Sequence, residues 1–230
     1  MAAVKEKAED MISRMELGDW LIDQCYVQEH THHGTPEYYI CVTAVPTFQG
    51  TASFRRQQLG NLRSSAAYAS SYYLTDMAFQ FSPSGELIDF EISSTIDVKQ
   101  VINDNTAVLP MDDLMERAKQ HLSLSDYGAY YIPASSIEIY EEEYGENIIC
   151  MINITQMDYG LTRVKAPNTD DSYYYVPALM LSGSIEYCGQ NTGTVYDSYS
   201  QMMGNDELWP LVCLNAVDGS VIELQNPSPT

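Results

Sequence analysis

Basic residues are scarce in this chain: 11 Lys and Arg stand against 32 Asp and Glu, a net charge of −21 over 230 residues. A surface of that sign repels phosphate backbones, so nucleic acid is not an expected partner. Apolar runs of about 18 residues are missing too, and no segment is expected to span a bilayer. Met1 to Gly18 carries Lys5, Glu6, Lys7, Glu9 and Asp10 among its apolar positions, which is not the basic-then-apolar layout of an export signal. The phosphate-binding glycine loop, the dinucleotide fingerprint, Gly-x-Ser-x-Gly, Cys-x-x-Cys and His-Glu-x-x-His are all absent. With 32 carboxylates some pairs must lie close together, so no single pair marks an acid–base site. The expectation is a protein with no catalytic residue, no cofactor and no metal.

What is present is enough apolar residue, 45%, to bury a core, and an order of elements that occurs twice. The first unit has a helical pattern (Val4 to Leu17, stopped at Gly18), the strand Tyr38-Tyr39-Ile40-Cys41-Val42-Thr43, the tripeptide Ser71-Tyr72-Tyr73 and the turn Ser84-Gly85-Glu86. The second has a helix (Leu114 to Leu124, after Pro110, with Asp113 and Glu116 spaced as a capping box), Asn147 to Ile152, Ser172-Tyr173-Tyr174 and Asp218-Gly219-Ser220. The fold expected is α+β: two tandem copies, 1–109 and 110–230, of a helix on an antiparallel sheet of about four strands. Cys41 should match Cys150, and Gly85 should match Gly219.

In detail, Trp20 to Glu29 and Glu37 to Val45 read as one hairpin, and Ser136 to Glu142 with Asn147 to Gln156 as its counterpart through Tyr144-Gly145. Tyr72 to Phe81 and Glu86 to Ser93 close the first sheet, with Ile88, Phe90 and Ile92 sharing a face. Tyr173 to Cys188, Leu211 to Val217 and Val221 to Leu224 close the second. Five cysteines leave at least one thiol unpaired within the chain. A turn at His32-His33-Gly34 puts residues whose numbers sum to about 66 opposite each other, so Cys25 should face Cys41. Cys150, Cys188 and Cys213 read as small buried hydrophobes.

Three side-chain clusters invite chemistry. His30, His32 and His33 crowd one turn, but adjacent histidines on a strand point apart, and a solvated loop is the expected reading. Glu141-Glu142-Glu143 and Glu146 lack the Asp/Asn-Gly spacing of a calcium loop and read as a charged hairpin end. Tyrosine is abundant, with 18 residues against five Phe and two Trp, and Tyr196 and Tyr199 lie in a polar segment, Gly189 to Glu207, that has no counterpart in the first unit. Strands favour aromatics for packing alone, although a ring with a polar tip also suits contact with peptide or sugar.

The stretch Leu208-Trp209-Pro210-Leu211-Val212-Cys213-Leu214-Asn215-Ala216-Val217-Asp218-Gly219-Ser220-Val221-Ile222 resembles the closing hairpin of PepSY-like domains. The tandem order of elements is similar to the YycH/YycI accessory proteins, which restrain a bacterial sensor kinase from outside the membrane, and to uncharacterised lipoproteins of Gram-positive gut bacteria. The resemblance implies a non-enzymatic binding or regulatory module outside the cytoplasm, with its export signal absent from this chain; a cytoplasmic location stays open. The partner expected is a protein or peptide, anionic if it docks on Arg55, Arg56, Arg63, Arg163 and Lys165, which fall in two long connections, Pro46 to Ser71 and Met157 to Asp171. Tyr196 and Tyr199 join that set. A glycan-binding or glycan-hydrolysing surface protein is the alternative, and a structural spacer the third.

Overall fold

Residues 1–32, 35–54, 76–92, 97–124, 134–166, 172–199 and 208–222 are described by the structure, a computed structural model. It is α+β, with two antiparallel five-stranded sheets and three helices among those residues. The chain divides into two compact units: one holds the described residues up to Asn105 together with Gly160–Arg163, and the other holds those of Thr106–Tyr159 and from Val164 onward.

In the first unit α1 (Ala2–Arg14) buries Val4, Ala8 and Ile12, the stripe its sequence spacing dictates. It ends a turn earlier than the apolar pattern, with Glu16 at φ 55° and Gly18 at φ 91° turning the chain out of the helix. The stripe meets Val42, Ala44, Met77, Phe79 and Phe81 from the sheet, and each buried apolar side chain of this size contributes about 1.5–3 kcal/mol. The sheet order is β1 (Trp20–His32), β2 (Thr35–Phe48), β4 (Met77–Phe81), β5 (Leu87–Ile92), with the short β3 (Thr51–Ala52) also on β2.

Two bulges change which residues face the core. Trp20, Leu21 and Ile22 pair with Pro46, Val45 and Ala44, a register summing to the expected value, but from Gln24 onward each partner is shifted by one because Asp23 is the extra residue. Cys25 therefore pairs with Val42 and joins the α1 side, while Cys41 pairs with Tyr26 and faces the other way. The expected Cys25–Cys41 pairing is corrected, and both thiols are free. Ile88 is the extra residue between the Gln80–Asp89 and Phe81–Leu87 pairs, so it is exposed instead of sharing the buried face of Phe90 and Ile92.

In the second unit the order is β10 (Val221–Ile222), β9 (Trp209–Asn215), β7 (Tyr173–Gly189), β6 (Ile148–Lys165), with β8 (Val195–Tyr199) also on β7. Helix α2 (Met111–Leu124) begins just after Pro110, whose carbonyl takes the Leu114 amide at 3.1 Å. Asp113 thus stands inside the first turn with Asp112, at the positive helix end, and is not the cap. Leu114 and Ala118 pack on Leu179, Leu181, Val212 and Leu214.

The segment expected as a strand, Ser136 to Glu142, is instead part of helix α3 (Ala134–Tyr144). Ile137 and Tyr140 are three residues apart, so one helical face carries both onto Ile185, Tyr187 and Leu211. Glu141-Glu142-Glu143 are good helix formers in its last turns, and Gly145 at φ 69° donates its amide to Glu141 O at 2.9 Å as a left-handed cap. Tyr144-Gly145 is a helix end, not a hairpin turn. It follows that Cys41 is on the second strand of its sheet path and Cys150 on the first, so they do not match. Cys150 is exposed, contrary to expectation, whereas Cys188 and Cys213 are buried.

Gly85 and Gly219 do occupy the same place in the two paths, the turns β4–β5 and β9–β10. Both have positive φ, 84° and 73°.

Candidate functional site

A dense polar constellation among the described residues centres on Glu146, in the three-residue link between α3 and β6. Its Oε2 accepts the amides of Asn191 (3.0 Å) and Thr192 (3.2 Å), and its Oε1 accepts the Thr192 hydroxyl and the Tyr196 hydroxyl, both at 2.6 Å. The Gln190 amide donates to Asn147 O at 2.8 Å beside it. The Thr192 and Tyr196 hydroxyls and the two amides hold the carboxyl down to about 2, against a smaller opposing effect of burial. A carboxylate with four donors is a clamp for the Gly189–Thr194 turn. It is ionised and its lone pairs are spent, which fits neither a general acid nor a metal ligand.

Tyrosines line the outside of this clamp. Tyr196 stacks on Tyr144 with centroids 4.0 Å apart and planes at 13°, Tyr140 tilts against Tyr144 at 6.3 Å, and the Tyr140 hydroxyl donates to Asp197 Oδ2 at 3.3 Å. Each of the stacked rings spends one face on the other, which reduces the flat area a sugar would need. Of the expected binding tyrosines, Tyr196 donates to Glu146 and stacks on Tyr144. Tyr199 pairs with Ile185 on β8, and its side chain lies outside the described residues. The strand β8 also shows that the Gly189–Glu207 segment is not all loop.

The basic residues are not brought together by what is described. Arg55, Arg56 and Arg63 lie outside the described residues. Arg163 is half-buried on β6, and Lys165 ends that strand, its side chain outside the described residues. The connection expected from Met157 onward is strand as far as Lys165, because Gly160, Leu161 and Thr162 are buried and continue the ladder. Of the histidines, His30 sets its ring edge-on to Tyr39 at 6.1 Å, while the His32 side chain and His33 lie outside the described residues. No group of three His, Cys, Asp or Glu suited to a metal occurs among the described residues. No described helix is long and apolar enough to cross a membrane.

The feature that strand-by-strand reading missed is β6 itself. It is 18 residues long and stands at the end of its sheet path. Ile149, Met151, Ile154, Met157 and Tyr159 are all exposed on it. The signal lay in the sequence as a stretch, Ile148 to Tyr159, with one charged residue, Asp158, in a strongly acidic chain. At Leu161 the strand is bridged in parallel by Ser53, and the Phe54 amide donates to Leu161 O at 2.8 Å.

No family model matches this chain, and no curated protein or solved structure matches it either.

Proposed function

We propose that the protein is a non-catalytic binding or regulatory module that recognises a protein or peptide partner. The observation that carries this reading is the run of five large apolar side chains exposed along a single strand, β6, in a chain of net charge −21. Exposed apolar side chains are ordinary when scattered; on one edge strand they are an interaction surface. The fully engaged Glu146 carboxylate supports the non-catalytic half of the reading.

The two units are read as copies of one helix-and-meander design, PepSY-like in the closing hairpin, with β1, β2, β4 and β5 answering to β6, β7, β9 and β10. In this reading α3 is an insertion of the second copy, and the turn glycines Gly85 and Gly219 are the positions the copies share. Placement outside the cytoplasm on an anchored surface protein belongs to the same proposal. It rests on the resemblance and on the acidic, Tyr-rich composition.

Affinity capture from an extract of the source organism, followed by reconstitution with each purified candidate, tests the function. The expected result is a saturable complex with one purified protein. Failure of every captured candidate to bind in purified form, together with glycan-array binding, would replace this reading by the glycan alternative, for which the exposed Tyr144 ring is the favourable observation.

A further inference from the structure

The four outer strands of the two sheet paths treat their edges very differently. An unpaired edge offers free amides and carbonyls to any other chain, and folded proteins blunt such edges by shortness, charge or bulges. Strand β10 is two residues long. Strand β5 is six residues long, carries Asp89 and Glu91, and is bulged at Ile88. Strand β1 is long but is broken by the Asp23 bulge and carries Glu29 and His30. Strand β6 is neither short nor strongly charged over Ile148–Tyr159: it has no Lys, Arg, Pro or Gly there, and one acid, Asp158. That stretch is about 40 Å long at a rise of about 3.4 Å per residue.

The same strand already accepts a parallel partner beyond Tyr159. Within the first unit Ser53 is bridged in parallel to Leu161, and the Phe54 amide donates to Leu161 O at 2.8 Å. Within the first unit Gly160 makes room for that approach, since a Cβ there would meet the Phe54 ring at 2.9 Å and Ala52 O at 3.0 Å. The Ile148 amide is taken by the Glu141 carboxylate at 3.1 Å, and among the described residues no strand pairs with the outer side of Ile149–Tyr159.

We infer that β6 is a docking edge, to which an extended segment of a partner protein adds as a further strand over Ile149–Tyr159. Main-chain hydrogen bonds would supply the affinity, and Ile149, Met151, Ile154, Met157 and Tyr159 would meet alternate side chains of the segment. The segment is apolar at every second position and neutral to cationic. A chain of net charge −21 disfavours an acidic segment and a second copy of itself alike. The inference rests on the proposed function, of which it specifies the site and the mode.

The test uses a labelled synthetic peptide, acetyl-Lys-Val-Thr-Val-Thr-Val-Thr-Val-Lys-amide, and the same peptide N-methylated at alternate amides along one edge, read by fluorescence anisotropy on the full chain. A variant Ile149→Lys with Met157→Lys places gatekeeper charges at two exposed positions, so the fold is retained; circular dichroism confirms it. Expected is saturable binding of the plain peptide to the wild type, weakened about tenfold or more in the double variant and in the methylated peptide. Equal binding by wild type and variant, or no binding to either, overturns the inference. So does a wild-type dimer in sedimentation that the double variant abolishes, because the edge would then be taken by a second copy. A captured natural partner that binds wild type and double variant equally leaves the proposed function standing and removes only the edge.

Discussion

The carbonyl oxygen of Asn153 occupies the place where a side chain on residue 183 would begin. Gly183 is on β7 and Asn153 on β6, so the two backbones close on each other at a point where no Cβ fits. Gly183→Ala is expected to cost about 3 kcal/mol, since the obstacle is backbone and cannot swing away. A urea midpoint unchanged by the substitution would place the strands farther apart than described.

Gly219 meets a softer obstacle, the Arg117 side chain, but a harder backbone demand. At φ 73° it lies in the left-handed region, where a β-branched residue is strained. Gly219→Val should lose about 1–3 kcal/mol, and Gly219→Asn clearly less because asparagine visits that region readily. Thermal melts of the pair discriminate the conformational cause from simple crowding, for which both variants would fail alike.

Stability should depend on Glu146 over an acid window. Its carboxyl is held at about 2 in the fold against an ordinary value of 4.5, so the fold prefers the ionised form. The contribution is complete above about 4.5 and is lost as pH falls toward 2. Between those limits the melting temperature of wild type should fall more steeply than that of Glu146→Gln, which has no proton to take up. Parallel curves would mean that the Thr192 and Tyr196 hydroxyls do not hold the carboxylate in solution.

Thiol labelling should rank the cysteines. Cys150 is exposed and is expected to alkylate first under native conditions. Desolvation raises its thiol, opposed by a hydrogen bond with Tyr187, so it reacts more slowly than a free thiol at pH 8. Cys213 is buried, with burial pushing its thiol up to about 12, and should stay unlabelled until the protein unfolds. Peptide mapping of iodoacetamide adducts gives the order; early labelling of Cys213 would contradict the burial of β9.

Much of the fold was legible because the apolar spacing is local. Val4, Ala8 and Ile12 declare α1, and Phe79 and Phe81 declare β4, without help from distant residues. The errors arise where one residue changes the period. Asp23 moves the core side of β1 from Trp20 and Ile22 to Cys25, and no alternation count across the bulge detects the switch. The segment Ser136 to Glu142 has Ile137 and Ile139 two apart, as a strand would, and only Tyr140 beside Ile137 on the packed face fixes it as a helix. The Glu146 clamp was beyond local reading, since its donors lie more than 40 positions away. The open edge of β6 was visible as uncharged sequence, but its place at the end of the sheet was not.

That open edge has a consequence for handling the protein in solution. At neutral pH the charge of −21 keeps molecules apart, and the unguarded strand of one copy seldom meets that of another. The isoelectric point is near 4.2, where this repulsion vanishes while the apolar side chains of β6 remain on the surface. Precipitation on acidification should therefore begin before unfolding and start from native molecules, with light scattering rising while the far-UV spectrum is still that of the folded chain.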